Sequence, residues 1–370
     1  MKRCIYHVPY PIETDSYSGS AIRPRKMLEA FRQNFDEVFV ISGYGAEREI
    51  KFKELKKQVK EGKKYAFMYS ENSTMPNLLT EKNHMPRYPF LEKNIYKFCK
   101  KNHIPIGLFY RDIDWRFSHY KKAVSFYKRC ITLPLYQYDL MLYNKYIDIL
   151  YLPSLQMGEL IDYRGKKKQL PPGIDEKDMV LYEKNTIEKE RLQLFYVGGV
   201  GGRYDLTKLA EGIAKCDFVD LTICCHEKQW KDWCEETKLK VPPNIRIVQG
   251  QGEELEQYYK EADLAVLFIN AKGYANMAMP IKLFEYLGHH IPVISTNHCE
   301  FGDFVEKNKI GWSIKYDVRL LEELLRFLNQ NRNVIKDTSL KMDATAKENT
   351  WSKRALAVGR DLQNIKWGSR

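Results

Sequence analysis

The chain has 370 residues, of which 44% are hydrophobic and 29% are charged, and it carries a formal net charge of +12. The length favours two domains, each with its own core, and the apolar content excludes a disordered chain. No apolar run approaches the ~20 residues of a membrane span, and the first residues lack the pattern of a signal peptide. The eight cysteines form no Cys-x-x-Cys pair and no zinc spacing, as in a protein of the reducing cytosol.

The positive charge is concentrated in the first half of the chain. Residues 1–172 contain 31 Lys or Arg against 18 Asp or Glu, whereas residues 173–370 contain 29 against 30. This asymmetry indicates that the first half meets an anionic surface, which could be a membrane, a lipid diphosphate or a nucleic acid. Charge alone does not choose among the three.

The first half alternates predicted strands with predicted helices. It begins as a nucleotide-binding fold does, with a strand over 3–8, a polar loop that contains Gly19 and a helix over 22–34. The three-glycine dinucleotide fingerprint is absent. Further strands are predicted over 37–42, 65–69, 105–110 and 147–152. Basic helices are predicted over 51–64 and 90–101, and the Lys and aromatic residues of the latter suit a lipid interface. A helix over 123–145 is expected to break at Pro134, and the basic run 164–168 is assigned to a loop.

Charged residues follow the strand over 105–110 directly, in the sequence Arg111-Asp-Ile-Asp114-Trp-Arg-Phe-Ser-His119. Ligands of open α/β sheets bind at the carboxyl ends of strands, so this cluster is a candidate site. The alternative is that Arg111 and Asp112 only pair with each other and brace a loop.

The second half begins after Gln169-Leu-Pro-Pro-Gly, which places a domain boundary near Pro171. A predicted strand over 192–197 runs into Gly198-Gly199-Val-Gly-Gly-Arg203, where glycines let the backbone approach a ligand and Arg203 offers a planar fork for phosphate. The loop lacks the Gly-Lys-Ser/Thr of a phosphate-binding ATPase loop. Another strand, over 245–248, ends at a turn that contains Gly250.

The segment 274–295 is predicted to be a loop, a short helix and a strand. Pro280 suits the first helical position, and Gly288 suits a left-handed C-cap. The main chain before Pro280, at Met279, would present free N–H groups and the positive end of the helix dipole to a phosphate. Lys282 and Glu285 lie three residues apart on one helix face, where they could hold a diphosphate and the hydroxyls of a ribose, or form only a surface ion pair.

Part of this segment resembles the nucleotide-sugar site of GT-B glycosyltransferases, in particular the family 4 retaining type of bacterial surface polysaccharide synthesis. The resemblance is carried by Pro280-Ile-Lys-Leu-Phe-Glu-Tyr-Leu-Gly followed by Ile291-Pro-Val-Ile-Ser-Thr. The resemblance implies two Rossmann-like domains facing each other across a cleft, 1–171 on the acceptor side and 172–350 on the donor side, and a terminal helix from 351 that returns to the first domain. Glu285 would bind the donor ribose, Gly250 the base through its backbone and Arg203 the diphosphate. The loop of Gly19, a predicted donor-binding residue, would lie against the donor or acceptor sugar. Asp112 would lie nearest the reacting sugar, with Asp114 and His119 behind it. Met277 replaces a second glutamate that normally touches the donor sugar.

The resemblance implies a hexosyltransferase that needs no metal and no cofactor. Arg203, Lys282 and a helix end would stabilise the diphosphate in place of a metal ion. Asp112-Ile-Asp114 has the spacing of a metal-binding motif, but it lies in the half that the resemblance assigns to the acceptor. The expected partners are a nucleotide sugar, a glycan or polyprenyl-diphosphate-linked acceptor, and an anionic membrane surface that meets the basic N-terminal domain. The expected location is the cytoplasm, with peripheral attachment to the inner face of the membrane. The alternatives are a GT-B sugar-nucleotide epimerase and a degenerate glycan-binding scaffold. A nucleic-acid-binding protein ranks last, because it leaves the glycine loop unexplained.

Overall fold

Two parallel sheets, one in each half of the chain, organise the fold. In the computed structural model, which describes residues 2–13, 19–182 and 189–365, the chain divides into two compact units. The first unit comprises Met1–Pro171 and Trp351–Arg370, and the second comprises Pro172–Thr350. Each unit contains a six-stranded sheet with helices around it, which is the pair of Rossmann-like folds expected for GT-B.

The first sheet is wholly parallel and has the strand order β2-β1-β3-β4-β5-β6. Its strands are β1 (Arg3–His7), β2 (Glu37–Ile41), β3 (Phe67–Glu71), β4 (Ile106–Phe109), β5 (Ile149–Leu152) and β6 (Lys166–Gln169). The helices between them are α1 (Gly19–Asn34), α2 (Gly45–Lys60), α3 (Leu91–Lys101), α4 (Ser118–Ala123), α5 (Phe126–Tyr146) and α6 (Leu155–Glu159). The central strands β3, β4 and β5 are buried along their whole length, as strands covered on both faces should be.

The second sheet is also wholly parallel and has the strand order β12-β11-β10-β7-β8-β9. Its strands are β7 (Leu192–Val197), β8 (Val219–Cys224), β9 (Ile245–Val248), β10 (Leu264–Leu267), β11 (Val293–Thr296) and β12 (Gly311–Ile314). Its helices are α7 (Thr207–Ile213), α8 (Glu227–Thr237), α9 (Glu256–Glu261), α10 (Ile281–Gly288), α11 (Glu300–Asn308), α12 (Val318–Gln330) and α13 (Arg332–Glu348).

The terminal helix α14 (Trp351–Gln363) belongs to the first unit, as predicted. Trp351 and Leu362 lie in the apolar core of that unit, and Asp361 forms an ion pair with Lys168. The helix therefore completes the first unit from the far end of the chain.

Two sequence predictions for the first unit are wrong, and a third changes in detail. Residues 166–169 form the edge strand β6 rather than a loop, because pairing with β5 decides the structure of this Lys-rich segment. The helix α5 continues through Pro134. The hydrogen bond that proline cannot make would reach the carbonyl of Cys130, an exposed residue, so the carbonyl is not deprived of a partner inside the core. In the predicted lipid-facing segment 90–101, Phe90 is exposed, whereas Tyr96 is buried and the ring of Phe98 lies 5.6 Å from that of Phe52.

Candidate functional site

The strand order of the second sheet reverses between β7 and β10. The chain proceeds outward from β7 through β8 to β9 and then returns to β10, which pairs with the other side of β7. The loops that follow β7 and β10 therefore leave the carboxyl edge in opposite directions and open a crevice between them. The glycine loop after β7 and the segment before α10 both lie at this crevice.

The glycine loop is held in place from both sides. The hydroxyl of Tyr196 donates to the carbonyl of Gly199 across 2.6 Å, and the N–H of Val197 donates to the hydroxyl of Tyr286 on α10 across 2.9 Å. Gly201 has φ +84°, which a residue with a side chain rarely adopts. The turn at Gly198 and Gly199 is thus anchored to the same helix that contains Lys282 and Glu285.

Arg203 lies at the exposed end of this loop. Its guanidinium carbon is 5.1 Å from the centre of the Tyr274 ring, which belongs to the turn Gly273–Met277 after β10. This cation–π contact joins the two loops at the strand reversal. Because the guanidinium group is exposed, it is accessible to a phosphate.

Helix α10 begins at the crevice, one residue later than predicted. Pro280 has φ −65° and ψ 138°, so it precedes the helix rather than forming its first turn. The prediction of a left-handed C-cap at Gly288 is wrong, since Gly288 is the last helical residue and His290 has φ 52° instead. Gly288 is required for space: a Cβ there would lie 2.8 Å from a methyl group of Ile174.

Lys282 and Glu285 form the polar face of α10. The ammonium group of Lys282 donates to Oε2 of Glu285 across 2.6 Å, and each side chain is 27% exposed. Both groups are therefore fixed by each other and still open to a ligand. An ion pair of this exposure contributes little to stability, about 0.2 to 1 kcal/mol, so stability alone does not account for it.

The sequence analysis missed Tyr259, the residue that supports Glu285 from inside. Its hydroxyl donates to the same Oε2 across 2.6 Å, and its ring stacks on that of His289 with centroids 4.1 Å apart. Burial and the charge of Glu285 hold the pKa of Tyr259 well above its usual value, so the hydroxyl stays a donor. His289 stacks in turn on Tyr182, whose hydroxyl hydrogen-bonds to Glu256.

The remaining predicted donor residues of the second unit are Gly250 and Met279. The carbonyl of Gly250 accepts from the thiol of Cys224 at 3.4 Å, which fixes the turn after β9 against the end of β8. The side chain of Met279 is packed in the apolar core, so only its main chain is available to a ligand. Met277 is 5% exposed, which shows that the residue in place of the family's first glutamate is part of the interior.

Asp112 belongs to the first unit, at the carboxyl end of β4. Burial, followed by the neighbouring charge of Asp114, raises the pKa of Asp112 to about 7. Arg111 lowers the pKa of Asp112 in part, but among the described residues its ion-pair partner is Oε2 of Glu71, at 3.5 Å, and its guanidinium group also donates to the hydroxyl of Tyr10 across 2.7 Å. Asp112 is thus a carboxyl group that gains or loses a proton near neutral pH, a property that suits proton transfer.

Two other predicted positions are only partly described. Gly19 is the first residue of α1, and the preceding loop with Ser16 and Ser18 lies outside the described residues, as does the side chain of His119. Across the described ranges, no three His, Cys, Asp or Glu side chains converge in a way that could hold a metal ion. The arrangement in the second unit offers cations, main-chain N–H groups and one carboxylate, which together suit a nucleoside diphosphate.

The comparisons with known proteins agree with this geometry. Residues 191–330 match the family model "Glycosyl transferases group 1", which spans β7 to α12 and includes every predicted donor residue except Gly19. Among curated proteins, none is significantly similar in sequence to the chain.

Solved structures resemble the whole chain. HepE from Anabaena, solved in complex with UDP, is 12% identical, with a TM-score of 0.66 over 99% of this chain and 100% of that one. Sucrose-phosphate synthase from Thermosynechococcus elongatus is 15% identical, with a TM-score of 0.61 over 97% and 98%. WaaG, described as a glycosyltransferase involved in lipopolysaccharide biosynthesis, is 14% identical, with a TM-score of 0.59 over 98% and 100%. At these identities the likeness establishes the GT-B fold.

Proposed function

We propose that the protein is a glycosyltransferase that moves a hexose from a nucleoside-diphosphate sugar to a lipid-linked glycan acceptor in bacterial surface polysaccharide synthesis. The observation that carries the proposal is the Lys282–Glu285 pair, which is partly exposed at the strand reversal of the second unit, beside the glycine loop and Arg203. The match of residues 191–330 to the group 1 family model supports it.

The donor residues have distinct roles in this proposal. Arg203 and Lys282 hold the diphosphate and stabilise its charge as the bond to the anomeric carbon breaks, while Glu285 accepts hydrogen bonds from the ribose hydroxyls. A cation about 4 Å from a phosphate charge contributes up to about 4 kcal/mol before desolvation, at an effective dielectric constant of 20. A helix end contributes about 0.3 to 1 kcal/mol at an exposed site, so the two side chains outweigh the dipole of α10.

Lys282 changes partner during the cycle. Without donor its ammonium group contacts Glu285. The arriving diphosphate, which carries more charge than one carboxylate, draws the ammonium group away, and the ribose hydroxyls then occupy Glu285. The same nucleotide is contacted by main-chain atoms of Gly198, Gly199, Gly250, Met279 and Pro280.

In the first unit, the proposal assigns Asp112 to the reacting sugar and Gly19 to donor binding. Its pKa near 7 allows Asp112 to exchange a proton with the acceptor hydroxyl or to hydrogen-bond to the transferred sugar. We further propose that transfer needs no metal ion and retains the anomeric configuration, as the resemblance to family 4 implies. Work at the inner face of the membrane follows from the lipid-linked acceptor.

The decisive experiment measures thermal stabilisation by UDP, GDP, ADP, CDP and TDP, followed by transfer assays with the sugars of the best base. A nucleotide at 100 times its Kd should stabilise the protein by about 2.7 kcal/mol. Glu285→Gln is the matched control, because it keeps the shape of the side chain and removes its charge. A protein stabilised by none of the nucleotides would be a scaffold, the alternative that follows from Met277 in place of the family's first glutamate. Turnover of the donor without any acceptor would instead identify an epimerase.

Transfer to a lipid extract, assayed with and without EDTA, tests the remaining parts of the proposal. Equal rates in both are expected, and NMR of the first product should show the anomeric configuration of the donor. A loss of activity in EDTA that Mn²⁺ or Mg²⁺ restores would contradict the metal-independent mechanism.

A further inference from the structure

The segment from α4 into α5 has an unusual charge. Between Trp115 and Tyr138 the sequence contains five Lys or Arg and no Asp or Glu. Lys121, Lys122 and Lys128 are exposed, and within the described parts of the chain none of them lies at ion-pair distance from a carboxylate. Helix α2 differs, because it contains three glutamates beside its six Lys or Arg, and its lysines 51, 53 and 57 each pair with a glutamate three or four residues away.

The first turns of α5 also expose large apolar side chains. Phe126, Tyr127 and Ile131 are 65%, 82% and 59% exposed. Single exposed apolar residues are ordinary, but a continuous set marks a surface that meets a partner.

The exposed apolar set continues along one side of the helix. Tyr127, Ile131, Pro134, Tyr138 and Met141 are spaced four, three, four and three residues apart, so they form one stripe. The opposite side, with Tyr136, Leu140 and Tyr143, is buried in the unit. The hydroxyl of Tyr138 donates to the carbonyl of Pro89 at 3.5 Å, which brings the exposed Phe90 to the same surface.

We propose that this surface, the α5 face, lies on an anionic lipid bilayer. It consists of Phe126, Tyr127, Ile131 and Met141, with Phe90 at its margin and Lys121, Lys122 and Lys128 around its start. Tyr and Phe suit the boundary between headgroups and acyl chains, while lysines extend their ammonium groups to lipid phosphates. No helix of the described residues is long and apolar enough to span a bilayer, so the proposed contact is interfacial.

Charge decides between a bilayer and a protein partner. A dense, fluid layer of phosphates accommodates lysines that have no fixed partners, whereas an apolar protein groove would leave them uncompensated. The α5 face includes only Phe90 from the segment 90–101 that was predicted to meet lipid, since Tyr96 is buried and Phe98 packs near Phe52. The inference rests on the proposed function only in that the proposed acceptor is lipid-linked. Binding to vesicles is measured without turnover, so it does not depend on the transfer reaction.

The test is cosedimentation of the full-length protein with vesicles of phosphatidylglycerol and phosphatidylcholine, compared with phosphatidylcholine alone. Binding should require the anionic lipid and weaken with salt. Each removed lysine should lower the partition coefficient about fivefold, so Lys121→Gln, Lys122→Gln and Lys128→Gln together should lower it about 10²-fold. Tyr127→Ser with Ile131→Ser should also lower it, whereas Lys336→Gln with Leu340→Ser on α13 is the matched control and should not.

A fluorophore on Cys130 gives an independent measurement. Cys130 is exposed within the α5 face, whereas the other cysteines are buried or partly buried. An environment-sensitive label there should shift its emission to the blue when anionic vesicles are added, and a label on Leu340→Cys in a Cys130→Ser background should not.

Three results would overturn the proposal: equal binding to neutral and anionic vesicles, equal loss in the α13 control, or no response of the Cys130 label. Capture of a single acidic protein by the α5 face, with no vesicle binding, would instead make it a protein interface. Thermal unfolding without nucleotide checks that each variant folds. Stabilisation by nucleotide reports the second unit, so failure of the proposed function would be recognised separately.

Discussion

Tyr259 and Glu285, 26 residues apart in the chain, meet through a hydrogen bond of 2.6 Å from the buried phenol to Oε2 of the carboxylate. Lys282 donates to the same oxygen. Within the described residues, Oε1 of Glu285 accepts no hydrogen bond, so it remains available for a ribose hydroxyl. Tyr259 therefore determines which oxygen the helix α10 offers to a ligand.

Tyr259→Phe should weaken nucleotide binding about 10-fold, with a smaller effect on kcat. The substitution removes a hydrogen bond to a charged group, worth about 1.5 to 3 kcal/mol, part of which Lys282 replaces. Isothermal titration with the best nucleotide measures the change. Tyr258→Phe is the control, because that ring stacks on Phe195. An unchanged Kd in Tyr259→Phe would mean that the tyrosine only packs.

Lys282→Ala should lower kcat about 10²-fold or more, by analogy with the removal of one preorganised charge-stabilising group. The lost interaction is strongest as the leaving diphosphate gains charge, so kcat should fall more than donor affinity. Steady-state transfer rates at saturating donor measure it, and Lys336→Ala, an exposed lysine of α13, is the control. A variant with unchanged kcat would show that Lys282 does not act on the leaving group.

Glu285→Gln should weaken binding of ribonucleotides about 10-fold or more, because the ribose hydroxyls lose a charged acceptor. A 2′,3′-dideoxynucleotide diphosphate lacks those hydroxyls and should bind wild type and variant with similar affinity. Comparing the four Kd values isolates the contact. If both ligands lost affinity equally, Glu285 would act on something other than the ribose.

Asp139→Asn should remove part of the pH dependence of stability. Asp139 is buried, with the N–H of Asn77 at 2.9 Å, and burial raises its pKa to about 7 from the ordinary 3.8. Between these values the native state binds the extra proton, so its stability falls as pH rises, by at most about 1.4 kcal/mol per pH unit.

Urea unfolding of the Asp139→Asn protein between pH 4.5 and 6.5 should therefore show a less negative slope of free energy against pH than wild type. Asp343→Asn is the control: that exposed carboxylate has a lowered pKa, so its stabilising contribution is lost as pH falls, and its removal should not flatten the slope. Parallel slopes for wild type and Asp139→Asn would mean that Asp139 is ionised in the native state.

The sequence predicted those features that depend on short-range patterns. Alternating apolar runs and glycine turns located the β7 loop and the helix after Pro280, because side-chain periodicity and backbone freedom are local properties. It also placed Lys282 and Glu285 on one face, since three residues of helix bring them together. It did not predict β6, because four residues reading Lys-Lys-Lys-Gln become a strand only when β5 supplies a partner.

Taken by itself, the sequence determined much of the order of strands and helices, the charge of the first half and the chemical groups of α10, since each depends on neighbours within a few residues. Only the tertiary structure decided that Tyr259 supports Glu285, that Met277 lies in the interior, and that Tyr127 of α5 is exposed whereas Tyr96 of α3 is buried. These outcomes depend on which distant segments bury each side chain, and packing of that kind has no counterpart in local spacing.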